Sequence, residues 1–326
     1  MSFFAVLLAL LLDQARPMTH QNVVHGALRA WIRWVKRSLD AGQSRHGVLV
    51  WMVGVAVPAA LAALIHIALW AYSVVLTFLW DVAILYLTLG FRQFSHHFTE
   101  IRNALERGNE LEARQALAQW KRIPLERQPE SELLRHAIEH SVMAVHQHVL
   151  GVLVCFLVCW IAGLGPAGAV LFRLADYLAH SCNPEVPRAD PLPTSESVCR
   201  AASRAWGWVN YWPARATAVA FAVVGNFEEA VASWRQDAVL FNEPNQGVVL
   251  AATAGALNVR LGRRVASVAA GVRAGSSLSE LASPDANALG REPQLAHLAS
   301  LVGLVWRSVV LWLVFLALLT LANLLG

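Results

Sequence analysis

The stretch GVLVWMVGVAVPAALAALIHIALW, residues 47–70, decides the fold class of this chain. It runs for 24 residues without an Asp, Glu, Lys or Arg. A helix of this length rises roughly 36 Å at about 1.5 Å per residue, which is enough to cross the hydrocarbon core of a bilayer. The stretch therefore predicts a transmembrane helix.

Three further apolar stretches extend this interpretation to the whole chain. They cover residues 73–90, 149–172 and 301–326. Of the 326 residues, 56% are hydrophobic and only 15% are charged, whereas about a quarter of the residues of a soluble domain are charged. We expect an all-α, polytopic integral membrane protein, and the composition excludes an ordinary soluble domain.

The basic residues predict the orientation. Residues 14–46 carry six Lys or Arg residues and residues 91–148 carry eight. The spans between them are joined by Ala71 and Tyr72 alone, so residues 47–90 form a hairpin whose ends return to one side. The positive-inside rule makes that side cytoplasmic. We predict a multi-pass protein of the bacterial inner membrane, with the lipid bilayer as its partner. The net charge of +4 follows from this bias and indicates no nucleic-acid partner.

The remaining segments predict broken or half-spanning helices. A short apolar segment and a basic cytoplasmic region form residues 1–46, before the transmembrane hairpin. Residues 91–148 form a cytoplasmic helical region, with a helical pair at 91–131 that breaks at Gly108 and Asn109. Pro166 predicts a kink or reversal within the apolar stretch 149–172. We divide the rest into a core at 149–262, a flexible loop at 263–300 and a C-terminal helix at 301–326.

Four polar or reactive residues have two interpretations each. His66 and Asp81 lie inside the predicted hairpin, where ionisable groups are costly. Either they pair with a neighbouring helix or a wet interior, or they serve a function. Cys182 and Cys199 lie in a Pro-rich loop and could pair, but such spacing is weak support for a disulfide.

A histidine-rich stretch, LLRHAIEHSVMAVHQHVLG at 133–151, contains the pattern H-x-x-E-H at His136, Glu139 and His140. On a helix this spacing places two imidazoles and a carboxylate on neighbouring faces, as in some zinc hydrolases. A zinc site would need a third ligand, for which Glu185 and Glu228 are candidates that nothing selects. The alternative is a polar helix mouth, and we assign no metal site.

Three stretches, in the same order along the chain, resemble the CobD/CbiB cobalamin-biosynthesis family. They are LGPAGAVLFRLADYLA (164–179), WVNYWPARATAVAFAVVGNFEEAVASW (208–234) and EPNQGVVLAATAGALNVRLG (243–262). The last two are similar to the family's N-W-I-P-A-R-L-T-A and S-P-N-A-G…A-G-A-L-x-V-R-L-G patterns. The chain is thus identified as a divergent member of the AmpE/CobD/CbiB superfamily.

The resemblance implies ATP-dependent amide formation between adenosylcobyric acid and aminopropanol phosphate. ATP and Mg²⁺ are then the implied cofactors if this synthase activity is retained, and the residues fix none by themselves. Several family features are altered. The N-terminal G-D-P…H-P pattern is absent, and histidines stand where the family helix has acidic and amide groups. Histidine is a poor substitute for the hard oxygen ligands of Mg²⁺.

Carrying the family pattern onto matching positions gives the candidate site. The implied catalytic residues are Glu139, His148 and Asp176. The implied ligand-binding residues are Asn210, Arg215, Asn245, Gly247 and Arg260. For Arg215 and Arg260 an anchoring role at the membrane surface is an equal alternative.

Two functions therefore remain open. The first is a synthase of late cobalamin assembly, whether catalysis is intact or degenerate. The second is a non-enzymatic sensor or accessory protein similar to AmpE, the membrane protein of the β-lactamase induction locus, that binds a corrinoid or another phosphate-bearing molecule. The number of carboxylates that converge on the site separates them, since Mg²⁺ and ATP chemistry needs about two. The sequence leaves a homodimer open.

Overall fold

The computed structural model describes residues 2–15, 23–40, 44–121, 129–182, 194–262 and 290–325. These residues form helices and contain no strand, apart from an isolated bridge between Val259 and Arg291. The helices are α1 (Ser2–Ala15), α2 (Val23–Leu39), α3 (Ser44–Trp51), α4 (Val57–Tyr72), α5 (Val74–Thr88), α6 (Phe91–Glu106), α7 (Glu110–Lys121), α8 (Glu130–Val145), α9 (Gly151–Ile161), α10 (Ala167–His180), α11 (Glu196–Val209), α12 (Tyr211–Val224), α13 (Phe227–Asp237), α14 (Pro244–Leu257) and α15 (Leu295–Leu325). The predicted all-α membrane fold is confirmed.

Helices α8 and α9 form the centre of the bundle. They are joined by a π-helical turn, His146–Leu150, into one continuous helix from Glu130 to Ile161. In the most apolar stretch of this helix 72% of the residues are buried, against 33% in the corresponding stretch of each of the other two long apolar helices. Since ionisable residues in such a helix must face protein or water, its histidines point to a polar interior.

Three helices in the described residues are long and apolar enough to cross a membrane, at His46–Tyr72, Glu130–Ile161 and Leu295–Ala322. The sequence predicts a membrane span in each of four apolar stretches, and two of these stretches do not form a long helix of their own. Residues 73–90 form α5, which has only 15 residues. The stretch 149–172 contributes α9 to the central helix and then breaks. The central helix also crosses the boundary predicted at residue 148.

The break at GLGPAG is a reversal between α9 and α10, as the proline predicted. Gly163 and Gly165 both take positive φ, at 76° and 58°, which only glycine adopts at little cost. The two helices then pack closely, because a Cβ on Gly168 would overlap the carbonyl oxygen of Cys155. This packing directs α10 back along the central helix.

Helices α4 and α5 form the predicted hairpin. Ser73 is the one residue between them, and the indole of Trp80 donates to the carbonyl of Ala62 across the pair at 3.3 Å. The N-terminal helix α1 packs against α5 and α15, and its Ser2 side chain lies 3.5 Å from that of Thr320. The short apolar start of the chain is therefore held by other helices.

Helices α6 and α7 form the predicted helical pair, with Gly108 at φ 72° in the turn between them. They pack on each other and on α8. Exposed ion pairs lie along both helices, such as Arg107 with Glu112 at 2.8 Å. Mixed charges of this kind are typical of a solvated helix face.

The second half of the chain packs as a compact helical group. Among the described helices, the two most extensive contacts are those that α14 makes with α13 and with α12. Two N-cap side chains position this region, Ser195 before α11 and Asn226 before α13. Helices α13 and α14 approach each other so closely that a Cβ on Gly255 would overlap the carbonyl oxygen of Glu229.

Some sequence predictions lie outside the described residues. These are most of the loop at 263–300, since residues 263–289 are not described, and most of the Pro-rich loop, with Glu185 in it. The C-terminal helix begins at Leu295, earlier than the predicted residue 301. Cys182 and Cys199 are both free thiols that lie against each other.

Candidate functional site

The candidate site lies where the π-turn of the central helix meets the last turns of α10. Arg173 joins two of the predicted residues there. One guanidinium nitrogen lies 2.6 Å from Nδ1 of His148 and 3.3 Å from Oδ2 of Asp176. The same nitrogen donates to the carbonyl of Gln147 at 3.4 Å. The structure therefore brings His148 and Asp176 together through a residue that the sequence did not single out.

His180 is the second cation at Asp176. Its Nδ1 lies 3.0 Å from Oδ1 of Asp176 and 2.9 Å from the backbone carbonyl of the same residue. Burial lowers the pKa of His180, but the ion pair and hydrogen bonds with Asp176 outweigh burial and raise it to about 9. For Asp176, burial by itself raises the pKa of the carboxyl. The charges of His180 and Arg173 outweigh burial and hold this pKa below its usual value. At neutral pH this cluster carries one anion and two cations.

The Asp176 cluster continues towards α11 and α14. The ring of His180 meets the indole of Trp206 edge to face at 6.1 Å, and Trp206 packs in turn on Phe172. The exposed carboxylate of Glu243, just before α14, also acts on His180 and favours its charged form. The N-terminus of α14 is thus beside the cluster.

Asn210 makes a buried contact with the central helix. Its Oδ1 lies 2.8 Å from Nε2 of His146, while Nδ1 of the same ring lies 2.9 Å from the hydroxyl of Thr217. A carboxamide oxygen only accepts, so Nε2–H donates to Asn210 and Nδ1 accepts from Thr217. Both His146 nitrogens are satisfied within the protein. In this arrangement Asn210 positions α12 against the central helix.

Arg215 and Asn245 are direct partners. Nη1 of Arg215 donates to Oδ1 of Asn245 at 3.1 Å and to the carbonyl of Tyr211 at 2.9 Å. Its guanidinium carbon lies 3.4 Å above the Tyr211 ring, and Asn245 donates to the carbonyl of Gly207 at 2.8 Å. Because stacking and hydrogen bonds hold this arginine, its charge has a fixed place beside the N-terminus of α14.

Gly247 has a packing role. A Cβ there would overlap the carbonyl oxygen of Ala238, in the short 3₁₀ turn Ala238–Leu240 that precedes α14. Only glycine lets the first turn of α14 approach this backbone. The residue therefore fixes where the α14 N-terminus lies and offers no side chain to a ligand.

Glu139 and Arg260 belong to a different part of the bundle. Oε1 of Glu139 accepts from the backbone nitrogen of Gly262 at 2.7 Å and lies 3.4 Å from Arg135. Nε of Arg260 donates to the carbonyl of Gly290 at 2.9 Å. Glu139 precedes His148 by nine residues, which is roughly 14 Å along the helix. The structure thus ties Glu139 to the chain after α14, and its hydrogen bonds lie apart from the Asp176 cluster.

The candidate residues that the structure describes do not make a protein-held Mg²⁺ site. Mg²⁺ requires oxygen ligands in near-octahedral geometry. Both oxygens of Asp176 face cations, and Glu139 bonds a backbone amide. These side chains therefore support no reaction step that runs through a metal ion held by the protein.

The H-x-x-E-H pattern also forms no metal-binding group with other described side chains. His136 lies 3.7 Å from Glu139, but the ring of His140 packs edge to face on Trp120 at 4.5 Å. Among the described residues, the one group of His, Cys or acidic side chains close enough to share an ion is His96, His97 and Glu100 on α6. That group is on the surface of the helical pair and apart from the Asp176 cluster.

Sequence reasoning missed Arg173, His180 and Glu243. A signal was present for two of them, because Arg173, Asp176 and His180 recur at three- and four-residue spacing in RLADYLAH and so share one face of α10. Glu243 gave no such signal, since its role depends on how α14 packs against α10. It stands where the family pattern has a serine.

Comparisons with known proteins agree with this arrangement of motifs. The model of a family described as CobD/Cbib protein matches residues 2–277. A cobalamin biosynthesis protein CobD of Stutzerimonas stutzeri is 31% identical over 322 residues, which is 96% of each chain. The protein of the same description from Chromobacterium violaceum is 33% identical over 211 residues, or 64% of each chain. One from Mycobacterium tuberculosis is 54% identical over 67 residues, or 19% of this chain and 21% of its own. No solved structure matches this chain significantly.

Proposed function

The chain belongs to the CobD/CbiB family of cobalamin-biosynthesis proteins, and from this premise we propose that it joins adenosylcobyric acid to aminopropanol phosphate. The bond formed would be an amide, with ATP as the energy source. The observation that carries this proposal is the cationic surplus around Asp176 and the α14 N-terminus, where Arg173, a protonated His180 and Arg215 outnumber the carboxylates of Asp176 and Glu243. All three reactants bear carboxylate or phosphate groups, which such a surplus favours.

The side chains have distinct roles in binding. Arg173 donates to Nδ1 of His148, so that ring is neutral and carries its proton on Nε2. His148 therefore acts as a hydrogen-bond donor, as His180 does, and neither is a base in this state. Arg215, stacked on Tyr211, supplies a further fixed charge beside the α14 N-terminus. Two phosphate-bearing reactants can thus be oriented by nitrogen donors alone.

Carboxylate activation requires that charge on the phosphates be neutralised. In this site Arg173, His180 and Arg215 would supply the positive charge that neutralises the phosphates. Mg²⁺ would arrive on the nucleotide phosphates, because the protein side chains do not form a cage for it. The three cationic residues would bind and orient the reactants. ATP would transfer its terminal phosphoryl group to the carboxylate of adenosylcobyric acid, and the amine of aminopropanol phosphate would then displace phosphate to form the amide.

The proposed location is the inner membrane, with several crossings. The long apolar helices and the basic segments beside the hairpin support it. Helix α2 adds to this support, since it carries Arg29, Arg33, Lys36 and Arg37 together with an exposed Trp34, as interfacial helices do. The Asp176 cluster then faces the cytoplasm. A homodimer stays a prediction.

A second function is favoured by a specific observation. Asp176 is the one buried carboxylate in the cluster, and Glu139 bonds Gly262 instead. A protein that binds a corrinoid or phosphate-bearing ligand without turnover, similar to AmpE, needs no more carboxylates than this. The two functions share the binding site and differ in catalysis.

The deciding experiment gives purified protein adenosylcobyric acid, aminopropanol phosphate and Mg²⁺ with ATP, and follows the product by mass spectrometry. A synthase forms the amide, and Arg215→Ala and Asn245→Ala lower its rate at least tenfold. Arg235→Ala serves as control, because Arg235 is exposed on α13. Corrinoid binding without product supports the second function. Absence of both binding and product contradicts the two proposals together.

A further inference from the structure

His66 and Asp81 form a buried pair that the proposed function does not use. His66 on α4 and Asp81 on α5 are each only 8% exposed, and Nδ1 of the imidazole lies 2.8 Å from Oδ1 of the carboxylate. Buried ion pairs are weak contributors to stability, because desolvation offsets much of their attraction. The hairpin already has the Trp80 hydrogen bond and apolar packing to hold it. The cost of this pair therefore points to a role other than stability.

The pair fixes the orientation of the histidine ring. A carboxylate accepts, so the Nδ1–H of His66 donates to Asp81, and in the neutral form of the ring Nε2 is then the acceptor. One face of the ring lies against the chain at Gly165, since a Cβ there would overlap Cγ, Nδ1 and Cδ2 of the imidazole. Glycine at 165 thus admits the ring, and Asp81 holds it in place.

A cavity lies beside His66. It has a volume of about 320 Å³, and its lining residues are His66, Ile67, Trp70, Trp160 and Gly163. This volume is at the lower end of the range for small-molecule sites. The indole of Trp70 stacks on His66 with centroids 6.4 Å apart. The lining thus combines two indoles with one oriented imidazole, and includes no Lys or Arg.

Three features of the lining favour a cation. Indole faces attract ammonium groups, and aromatic cages recognise them in other proteins. The Asp81 carboxylate stands behind the imidazole and adds negative charge. Trp70 lies in the last turn of α4 and Trp160 in the last turn of α9, so the negative ends of two helix dipoles lie at the cavity. All three features would repel an anion.

We propose that this cavity is a second binding site, for a small organic ammonium such as a primary alkylamine. Its ammonium donates to Nε2 of His66, whose ring is held by Asp81, and its alkyl part lies between Trp70 and Trp160. The site is at the beginning of α10, while the Asp176 cluster is at the end of that helix. It therefore stands or falls independently of the proposed amide synthesis.

The test uses the full chain in lipid nanodiscs and three probes with the same number of carbon atoms, n-propylamine, n-propanol and propionate, measured by saturation-transfer NMR against empty nanodiscs. We expect saturable binding of propylamine at pH 7.5, at least tenfold tighter than that of propanol, and none of propionate. Asp81→Asn removes the negative charge and lowers propylamine affinity at least tenfold.

A second variant covers the case in which Asp81→Asn does not fold. Ile67→Trp fills the cavity without touching the pair and abolishes propylamine binding. Leu64→Trp is its matched control, since it places the same indole at an exposed position one turn earlier on α4 and leaves binding unchanged. Equal affinity for propanol and propylamine, undiminished binding by Ile67→Trp, or no saturable binding of propylamine would each overturn the proposal.

Discussion

An Asp–His pair lies at each end of α10, and the two pairs differ in their surroundings. Asp176 and His180 lie one turn apart on the same helix, with Arg173 as a further partner and one face towards Glu243. Asp81 and His66 lie on different helices, with each other as the partner in an apolar hairpin. The ends of α10 are about 20 Å apart at 1.5 Å per residue.

The difference between the pairs is one of net charge. At neutral pH the Asp176 end of α10 sums to +1, because Arg173, protonated His180 and Arg215 outnumber Asp176 and Glu243 by one. The Asp81 pair sums to −1 when Asp81 is ionised and His66 is neutral, and to zero when the two hold one more proton. In the two proposals, the same two residue types therefore serve an anion at one end of α10 and a cation at the other. What decides the preference is the third partner, Arg173.

The largest effect is expected from removing that third partner. Arg173→Met leaves Asp176 buried with His180 as its remaining cation, and breaking a buried pair from one side costs about 3 kcal/mol or more. We expect a fall in thermal unfolding temperature in detergent and loss of anionic ligand binding. Arg235→Met, at an exposed position, should change neither. An Arg173→Met protein as stable as the wild type would mean that the cluster is not held as described.

The opposite end should tolerate a change of both partners. Asp81→Leu alone leaves the buried imidazole without its acceptor and should cost about 2 kcal/mol. The double change His66→Leu with Asp81→Leu removes both polar groups and should restore the wild-type unfolding temperature or exceed it. Thermal unfolding of the single and double variants measures this. A double variant less stable than the single one would show that the pair stabilises the hairpin.

The sequence predicts the apolar framework well and the polar partners poorly. The hairpin of α4 and α5, the reversal at Pro166 and the break at Gly108 follow from local signals that act within a few residues. The number of helices long enough to cross a membrane did not follow, because residues 73–90 form a helix of only 15 residues. The start of the central helix did not follow either, because the polar residues 130–148 continue into α9 without a break. A buried polar stretch of helix is visible only once its neighbours are known.

The candidate site divides along the same line. The family resemblance implied His148 and Asp176, and the structure joins them, but through Arg173. It also placed Glu139 with them, and the structure gives that carboxylate to Gly262. Spacing along one helix was a signal for His180 that the sequence analysis did not use, whereas Glu243 depends on the packing of α14 against α10. Contacts between distant helices are set by tertiary packing, which residue spacing does not encode.

A smaller effect tests whether the α14 N-terminus belongs to the anion-binding end. Asn245→Ala removes the hydrogen bonds to Arg215 and to the Gly207 carbonyl, and should cost about 1 kcal/mol of stability. Anionic ligand binding should weaken more than stability does, because Arg215 loses its fixed position. Unfolding temperature and ligand affinity are measured on the same preparation, with the neighbouring Gln246→Ala as control. Weakened stability with unchanged affinity would give Asn245 a structural role only.

The smallest effect is in the pH dependence of the Asp176 cluster. The pKa of His180 rises on folding from its ordinary 6.5 to about 9, so the stability that its proton contributes is fully present below about pH 6.5 and is lost as pH rises through 9. Solvent screens the pair, because the His180 side chain is 43% exposed. We expect the wild type to lose about 2 °C more in unfolding temperature than His180→Gln between pH 7 and pH 10. Equal losses in the two proteins would mean that His180 is neutral throughout, and the cationic surplus that distinguishes this end of α10 would disappear.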